Sequence, residues 1–141
     1  NFKSWNIPGA VTFYQSPINI NNCIFDNNNS EDGLNIVRSK FKLINSEFTN
    51  TASDAIDIDF SDGLIQNIKI KNAGNDGLDI SGSNIILRNI NIIKSGDKAI
   101  SVGEESNLRA SGIKISDSPI ALASKDNSLI DANNVRINAG N

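Results

Sequence analysis

Histidine and methionine are absent from this chain of 141 residues, and cysteine occurs once. Without histidine, the chain lacks the most frequent general base at neutral pH, and Cys23 lacks the residue that usually activates a catalytic thiol. A single cysteine cannot form an internal disulfide, so cysteine usage does not identify a redox compartment. Because the chain does not begin with methionine, we expect it to be a processed or partial product.

Long apolar runs and an excess of positive charge are also missing. No apolar run is long enough to span a membrane. The 13 lysines and arginines are outnumbered by 16 acidic residues, which gives a net charge of −3. Phosphate binding needs clustered basic residues, so we expect no nucleic-acid partner. Neutral or polycationic partners suit this charge better.

The sequence contains instead a short phrase that returns every 22 residues. Its copies are centred on Leu34, Ile56, Leu78 and Ile100, and each has a second apolar residue two positions later. A fixed period of this size is typical of solenoid proteins. Alternation of apolar and polar residues is the period of a β-strand, and no helix-length periodicity competes with it.

Three apolar pairs fall in each period, which predicts three short strands per turn. The pairs run from Val11/Phe13 to Ile120/Leu122, from Ile18/Ile20 to Ile130/Ala132 and from Cys23/Phe25 to Val135/Ile137. A sandwich of regular hairpins would need two-residue turns at a shorter spacing. We therefore predict an all-β fold, a single-stranded parallel β-helix of about six rungs of about 22 residues each.

The ends of the chain depart from this repeat. Residues 1–9, which include Trp5 and Pro8, do not fit it and are predicted to form a lead-in or cap. Residues 10–141 are predicted to form the β-helix, which we expect to continue or be capped in a longer parent protein. An open last rung would expose unpaired backbone to a neighbouring domain or to a second copy.

Asparagine stands immediately before the third strand in every rung but one. The asparagines are Asn22, Asn45, Asn67, Asn89 and Asn134, and Gly112 takes the equivalent place in the fifth rung. Asparagine tolerates the left-handed backbone conformation, and its amide can bond the rungs above and below. The pattern predicts a structural asparagine ladder.

Stacking the rungs at roughly 4.8 Å converts the repeated aspartates into columns. Two positions before the central apolar residue lie Asp32, Asp54, Asp76 and Lys98, and one position after it lie Asn35, Asp57, Asp79 and Ser101. The second column, joined by Asp59, is predicted to point outward as an acidic cluster. Like charges at this spacing raise one another's pKa unless a cation or hydrogen-bond donors compensate.

Three explanations compete for these carboxylates. Asp32, Asp54 and Asp76 are expected to accept backbone N–H groups at the bend, as Asx-turns do. That explanation suits Asp57 and Asp79 poorly.

A calcium ion is the second explanation, because hard cations prefer carboxylate ligands. Asp57, Asp59 and Asp79 would hold it. Their spacing matches no fixed calcium loop.

The third explanation is β-elimination or epimerisation on a uronate polymer, which requires a base. Lys98 is the nearest candidate for that base. A salt bridge to Asp76 or Asp97 would keep this lysine protonated, and a protonated lysine cannot accept a proton.

The repeat phrases carry a family resemblance, which extends from about Gly9 onward. They resemble the right-handed parallel β-helix regions of bacterial proteins that often stand beside a domain similar to the spore-coat kinase CotH. The wider superfamily, which is similar to pectate lyases, contains polysaccharide lyases, epimerases and hydrolases, and also tailspike-like binding proteins and adhesins. No phosphate loop or kinase motif occurs here. The phrases are Ser30–Ser39, Ser53–Phe60, Gly74–Ser83, Gly96–Glu104 and Ala123–Asp126.

The resemblance implies a right-handed helix and an extracellular or cell-surface location. We expect a module that binds a carbohydrate polymer or cell-envelope partner through Asn35, Asp57, Asp79 and Ser101. A calcium-dependent lyase or epimerase, with Lys98 as base, is one alternative. A structural spacer or assembly segment is another.

Overall fold

The computed structural model describes residues 7–138, and these form strands and no helix. None of them is therefore part of a helix long and apolar enough to cross a membrane. Residues 1–6 of the predicted lead-in lie outside the described part. The strands are β1 (Gly9–Tyr14), β2 (Ile18–Asn21), β3 (Ile24–Asn28), β4 (Asp32–Val37), β5 (Lys40–Thr51), β6 (Asp54–Asp59), β7 (Asp62–Ala73), β8 (Leu78–Ser81), β9 (Asn84–Ser95), β10 (Lys98–Gly103), β11 (Asn107–Ser116), β12 (Ile120–Ser124) and β13 (Leu129–Asn138).

All strand pairs are parallel, and each strand pairs with the equivalent strand of the next rung. One sheet has the order β1-β4-β6-β8-β10-β12, and the other has the order β13-β11-β9-β7-β5-β2, with β3 also paired to β5. Leu34 pairs with Ile56, which pairs with Leu78, which pairs with Ile100. The predicted parallel solenoid and its period are confirmed.

The predicted second and third strands of a rung are continuous in β5, β7, β9, β11 and β13. Each of these strands has a left-handed residue at the bend between its two parts, for example Asn67, whose φ is 55°. A second left-handed residue lies near the end of β5, β7 and β9. Pairing resumes directly on both sides of the bend, as at Ile44↔Gln66 and Ser46↔Ile68. One left-handed residue therefore turns the chain without ending the strand.

The predicted asparagine ladder forms at this bend. Nδ2 of Asn89 donates to Oδ1 of Asn67 at 3.2 Å, and Nδ2 of Asn67 donates to Oδ1 of Asn45 at 3.0 Å. Asn45 then donates to Asn21 at 3.1 Å rather than to the predicted Asn22. Left-handed φ angles occur at all the predicted bend positions, namely Asn22, Asn45, Asn67, Asn89, Gly112 and Asn134.

The core is one apolar column inside the coil. Leu34, Ile56, Leu78 and Ile100 are completely buried. Inward positions in the terminal rungs, such as Val11 and Ile120, are exposed instead. The reason is that a terminal rung is covered by a neighbouring rung on one side only.

A buried serine ladder closes the corner between the first and second strand of each rung. The Oγ of Ser61 accepts the backbone N–H of Ser39 at 3.0 Å, and the Oγ of Ser83 accepts that of Ser61 at 2.9 Å. The Oγ of Ser106 accepts the N–H of Ser83 at 2.9 Å. Sequence reasoning missed this ladder, although these serines recur at nearly the same period as the aspartates.

Candidate ligand-binding face

The predicted acidic columns lie together on the outer side of β4, β6, β8 and β10. We call this surface the acidic face, and we define it by Asn35, Asp57, Asp59, Asp79 and Ser101 with the bordering Asp32, Asp54, Asp76 and Lys98. Register brings Asn35, Asp57, Asp79 and Ser101 side by side in successive rungs. Thr12 of β1 extends the same column, because it pairs with Asn35.

The central column is less accessible than its outward direction suggests. Asn35 is 2% exposed and Ser101 is 0% exposed, whereas Asp57 and Asp79 are half-buried. The column lies between the Asp32/Asp54/Asp76 column on one side and the Val37/Asp59 column on the other. Such flanking side chains remove solvent from polar groups in the middle, so the face is a partly dehydrated polar site.

Asp57 and Asp59 accept hydrogen bonds from the same amide group, that of Asn35. Nδ2 of Asn35 donates to Oδ2 of Asp57 at 2.9 Å and to Oδ2 of Asp59 at 3.3 Å. Burial, followed by the charge of Asp59, raises the pKa of Asp57 to about 8. Burial also raises the pKa of Asp59, while hydrogen bonds from Asn35 and Asp57 oppose that rise. Near neutral pH we therefore expect Asp57 to be largely protonated.

Asp32 is a second carboxyl group that retains a proton near neutrality. Burial, followed by the charge of Asp54, raises the pKa of Asp32 to about 7. Its Oδ2 is buried and has no hydrogen-bond partner among the described residues. The Asx-turn explanation therefore fails to account for this oxygen.

Asp54 and Asp76 accept backbone N–H groups, but from the next rung rather than from their own bend. Oδ1 of Asp54 accepts the N–H of Asp76 at 2.8 Å, and Oδ1 of Asp76 accepts that of Lys98 at 2.9 Å. Asn75 also donates to Oδ1 of Asp54. The predicted local Asx-turns are thus replaced by bonds along the stack, because the next rung brings its N–H within reach of each carboxylate.

Lys98 is the last member of the column formed by Asp32, Asp54 and Asp76, so a cation stands where the preceding rungs have aspartate. Its Nζ lies 3.5 Å from Oδ1 of Asp76 and also bonds Asp97. The hydrogen bond that Lys98 donates to Asp97 is the main cause of a raised pKa for Lys98. The ammonium group therefore stays protonated at neutral pH and is poorly suited to act as the base that a lyase or epimerase needs.

Several buried oxygens of the central column lack a partner within the described chain. They are Oγ1 of Thr12, Oδ1 of Asp79 and Oγ of Ser101. Each is a hydrogen-bonding group removed from water, which costs free energy unless something pairs with it. With the proton of Asp57 and the second oxygen of Asp32, the face offers both donors and acceptors.

The model for the family described as right handed beta helix region matches residues 32–141. The chain belongs to this family. Searches of curated proteins and of solved structures returned no significant match. The β-helix of this chain is right-handed, as the family is. A fold does not specify a ligand, so the function depends on the chemistry of the acidic face.

Metal binding has limited geometric support in this right-handed β-helix. Among residues 7–138, no group of three acidic, histidine or cysteine side chains is arranged to hold a metal ion. A calcium site at Asp57, Asp59 and Asp79 stays a prediction.

Proposed function

We propose that this right-handed β-helix is an extracellular or cell-surface module that binds a carbohydrate polymer of the cell envelope along its acidic face. The observation that supports it best is Asp79, a half-buried carboxyl group on the acidic face whose Oδ1 has no hydrogen-bond partner among the described residues. Buried polar groups in proteins are nearly always hydrogen-bonded, so those that lack an internal partner indicate an external one.

The chemistry of the acidic face suits sugar hydroxyls, which donate and accept hydrogen bonds alike. The half-buried Asp57, whose pKa is raised to about 8, can donate, and the half-buried Asp79 can accept. The same column is repeated at the strand spacing of roughly 4.8 Å, so one linear polymer would meet similar groups several times along the stack. Location at the cell surface is proposed from the resemblance of the repeat phrases alone, as is a neighbouring CotH-like domain.

Binding is favoured over polysaccharide lyase or epimerase chemistry by the state of Lys98. Proton abstraction from a sugar needs a base that is unprotonated at the working pH. Asp97 and Asp76 hold Lys98 in its protonated form.

The proposal is tested by glycan binding to the intact chain. Calorimetric titration with a panel of neutral and acidic oligosaccharides should give at least one binder. Asp79→Asn and Asp59→Asn should each weaken its binding about tenfold, since each replaces an acceptor oxygen by an amide donor and so loses a hydrogen bond worth about 1.4 kcal/mol. Asp131→Asn, on the exposed β13, is the matched control and should leave binding unchanged.

Two results would reject carbohydrate binding. One is the absence of any binder in the panel, and the other is unchanged affinity in both acidic-face variants. The alternatives have their own measurements on the same samples. A calcium-dependent rise in the thermal midpoint that Asp57→Ala abolishes would support the metal site, and unsaturated uronic products would support a lyase.

A further inference from the structure

A second concave surface lies on the other sheet, away from the acidic face. It is a groove of about 850 Å³ that crosses the rungs from Pro17 to Leu129. We call it the lateral groove. Its walls are two columns of outward side chains from β5, β7, β9 and β11, namely Lys40, Asp62, Asn84 and Asn107 in one wall and Lys42, Leu64, Ile86 and Arg109 in the other.

The lateral groove has cations at its ends and an aliphatic centre. In the second wall, Leu64 and Ile86 separate Lys42 from Arg109. Ile86 is 45% exposed, and the outward Leu64 beside it is half-buried. The one acid in the lining, Asp62, already accepts a hydrogen bond from Asn84 at 2.9 Å. The groove therefore complements an anionic ligand with an apolar middle.

The width of the lateral groove limits the shape of that ligand. Its walls are built from residues two apart on each strand, which places them roughly 7 Å from one another. An α-helix with its side chains measures about 10–12 Å across and is too wide. The strands beneath are already paired to their neighbours on both sides, so an added strand has no free edge here. An extended chain that is recognised through its side chains fits.

The aliphatic side chains in the lateral groove favour an extended peptide over an extended sugar chain as its ligand. Among residues 7–138, Phe41 is the one aromatic residue in the lining, and it is buried in the core and offers no exposed ring for sugar stacking. Leu64 and Ile86 instead match aliphatic side chains of a peptide.

We propose that the lateral groove binds an extended acidic peptide of a partner protein, with an aliphatic residue midway between two acidic ones. Lys42 and Arg109 are three rungs apart, or roughly 14 Å. A strand rises about 3.3 Å per residue, so the acidic residues lie four positions apart. The aliphatic residue between them then points to the same side. This interaction goes beyond the proposed carbohydrate binding and does not depend on it.

The test uses the heptapeptide Gly-Glu-Ala-Ile-Ala-Glu-Gly as probe and amide chemical shifts of the intact, isotope-labelled protein as readout. Shifts should move at Lys42, Leu64, Ile86 and Arg109 and not on the acidic face. The double variant Lys42→Glu with Arg109→Glu should weaken binding about tenfold or more, because it reverses both end charges. The double variant Lys71→Glu with Lys114→Glu changes net charge equally outside the groove and should bind as the wild type does.

Three results would overturn the peptide proposal. They are the absence of shifts at millimolar peptide, equal binding of a peptide in which both glutamates are replaced by lysine, and shifts that map outside the lateral groove. Polygalacturonate serves as the competing anionic polymer. If it binds the lateral groove and the peptide does not, the occupant is a polysaccharide and the peptide proposal is wrong. Asp79→Asn leaves this groove intact, so failure here is separable from failure of carbohydrate binding.

Discussion

Asp57 makes the folded state less stable as pH rises, because its carboxyl group must ionise in a buried environment. Its pKa is raised from the ordinary value of 3.8 to about 8, mainly by burial. Between these values the folded protein binds a proton that the unfolded chain has released. The free energy of unfolding therefore decreases as pH rises from about 4 to about 8, and it is highest at the acidic end of this window. Asp32 contributes the same slope up to about pH 7.

Replacing Asp57 by asparagine should remove its share of this slope. Asp57→Asn has nearly the same shape and does not ionise, so unfolding free energy should change less between pH 5 and pH 8, by about 1 kcal/mol or more. Urea unfolding across this range measures it. Asp131→Asn is the control and should keep the wild-type slope. An unaltered slope in Asp57→Asn would show that Asp57 does not carry the proton.

The hydroxyl group of Ser61 forms hydrogen bonds with two backbone groups, one as acceptor and one as donor. Its hydroxyl accepts the N–H of Ser39 and donates to the carbonyl oxygen of Asp59 at 2.8 Å. Ser61→Ala leaves that N–H buried and unpaired, so we expect a loss of about 1–3 kcal/mol in unfolding free energy. Ser124→Ala, at an exposed serine, should cost less than about 0.5 kcal/mol. Equal losses in the two variants would argue against a structural role for the buried ladder.

At the scale of the strand, the left-handed residue at the asparagine bend allows one continuous strand to form two sides of the coil. Asn67 has φ of 55° and bonds both Asn45 and Asn89 through its side chain. Asn67→Ala and Asn67→Gly lose the same side-chain bonds, but only alanine resists this backbone conformation. The alanine variant should be less stable than the glycine variant by about 1 kcal/mol or more. Thermal unfolding decides, and the opposite order would refute the argument.

The turns that lead from one rung to the next impose a different requirement, which is close approach of stacked backbone. A Cβ atom at Gly96 would overlap the carbonyl oxygen of Gly74. Gly96→Ala should therefore lower unfolding free energy by about 1–3 kcal/mol through overpacking. Ala52 holds the equivalent place two rungs earlier, so Ala52→Gly provides the control and should change stability by less than about 1 kcal/mol. A neutral Gly96→Ala would mean that the stack adjusts freely.

At the scale of the whole molecule, a solenoid closes along its sides but not at its ends. β12 and β13 are the outermost strands of their sheets among the described residues, and Ile137 is 53% exposed although its position faces inward. Exposed apolar edges favour pairing with another chain. We therefore expect this chain of 141 residues to associate as its concentration rises.

Sedimentation at several concentrations tests that association. Val135→Lys with Ile137→Lys places charge on the open end and should lower the average mass at high concentration. Lysines at Asn133 and Asn138 of the same strand add equal charge on its outward side and should have a smaller effect. A monomer at every concentration would contradict assembly through this end.

The sequence by itself determined the coil. A 22-residue period, alternating apolar pairs and an asparagine at one bend were enough to predict strands, rung length, core positions such as Leu34 and Ile56, and the left-handed residues at that bend. These features are local, or repeat identically in each rung, so pattern alone carries them. The columns of the acidic face were likewise predicted from the period.

Only the tertiary structure decided what those columns do. It directs Asp54 and Asp76 to the backbone of the next rung, buries Asn35 and Ser101, and raises the pKa of Asp57 through burial. It also joins two ordinary columns of β5 to β11 into the lateral groove. The physical reason is that burial, proton affinity and concavity depend on neighbours 22 or more residues away, whose distance and orientation are set by stacking.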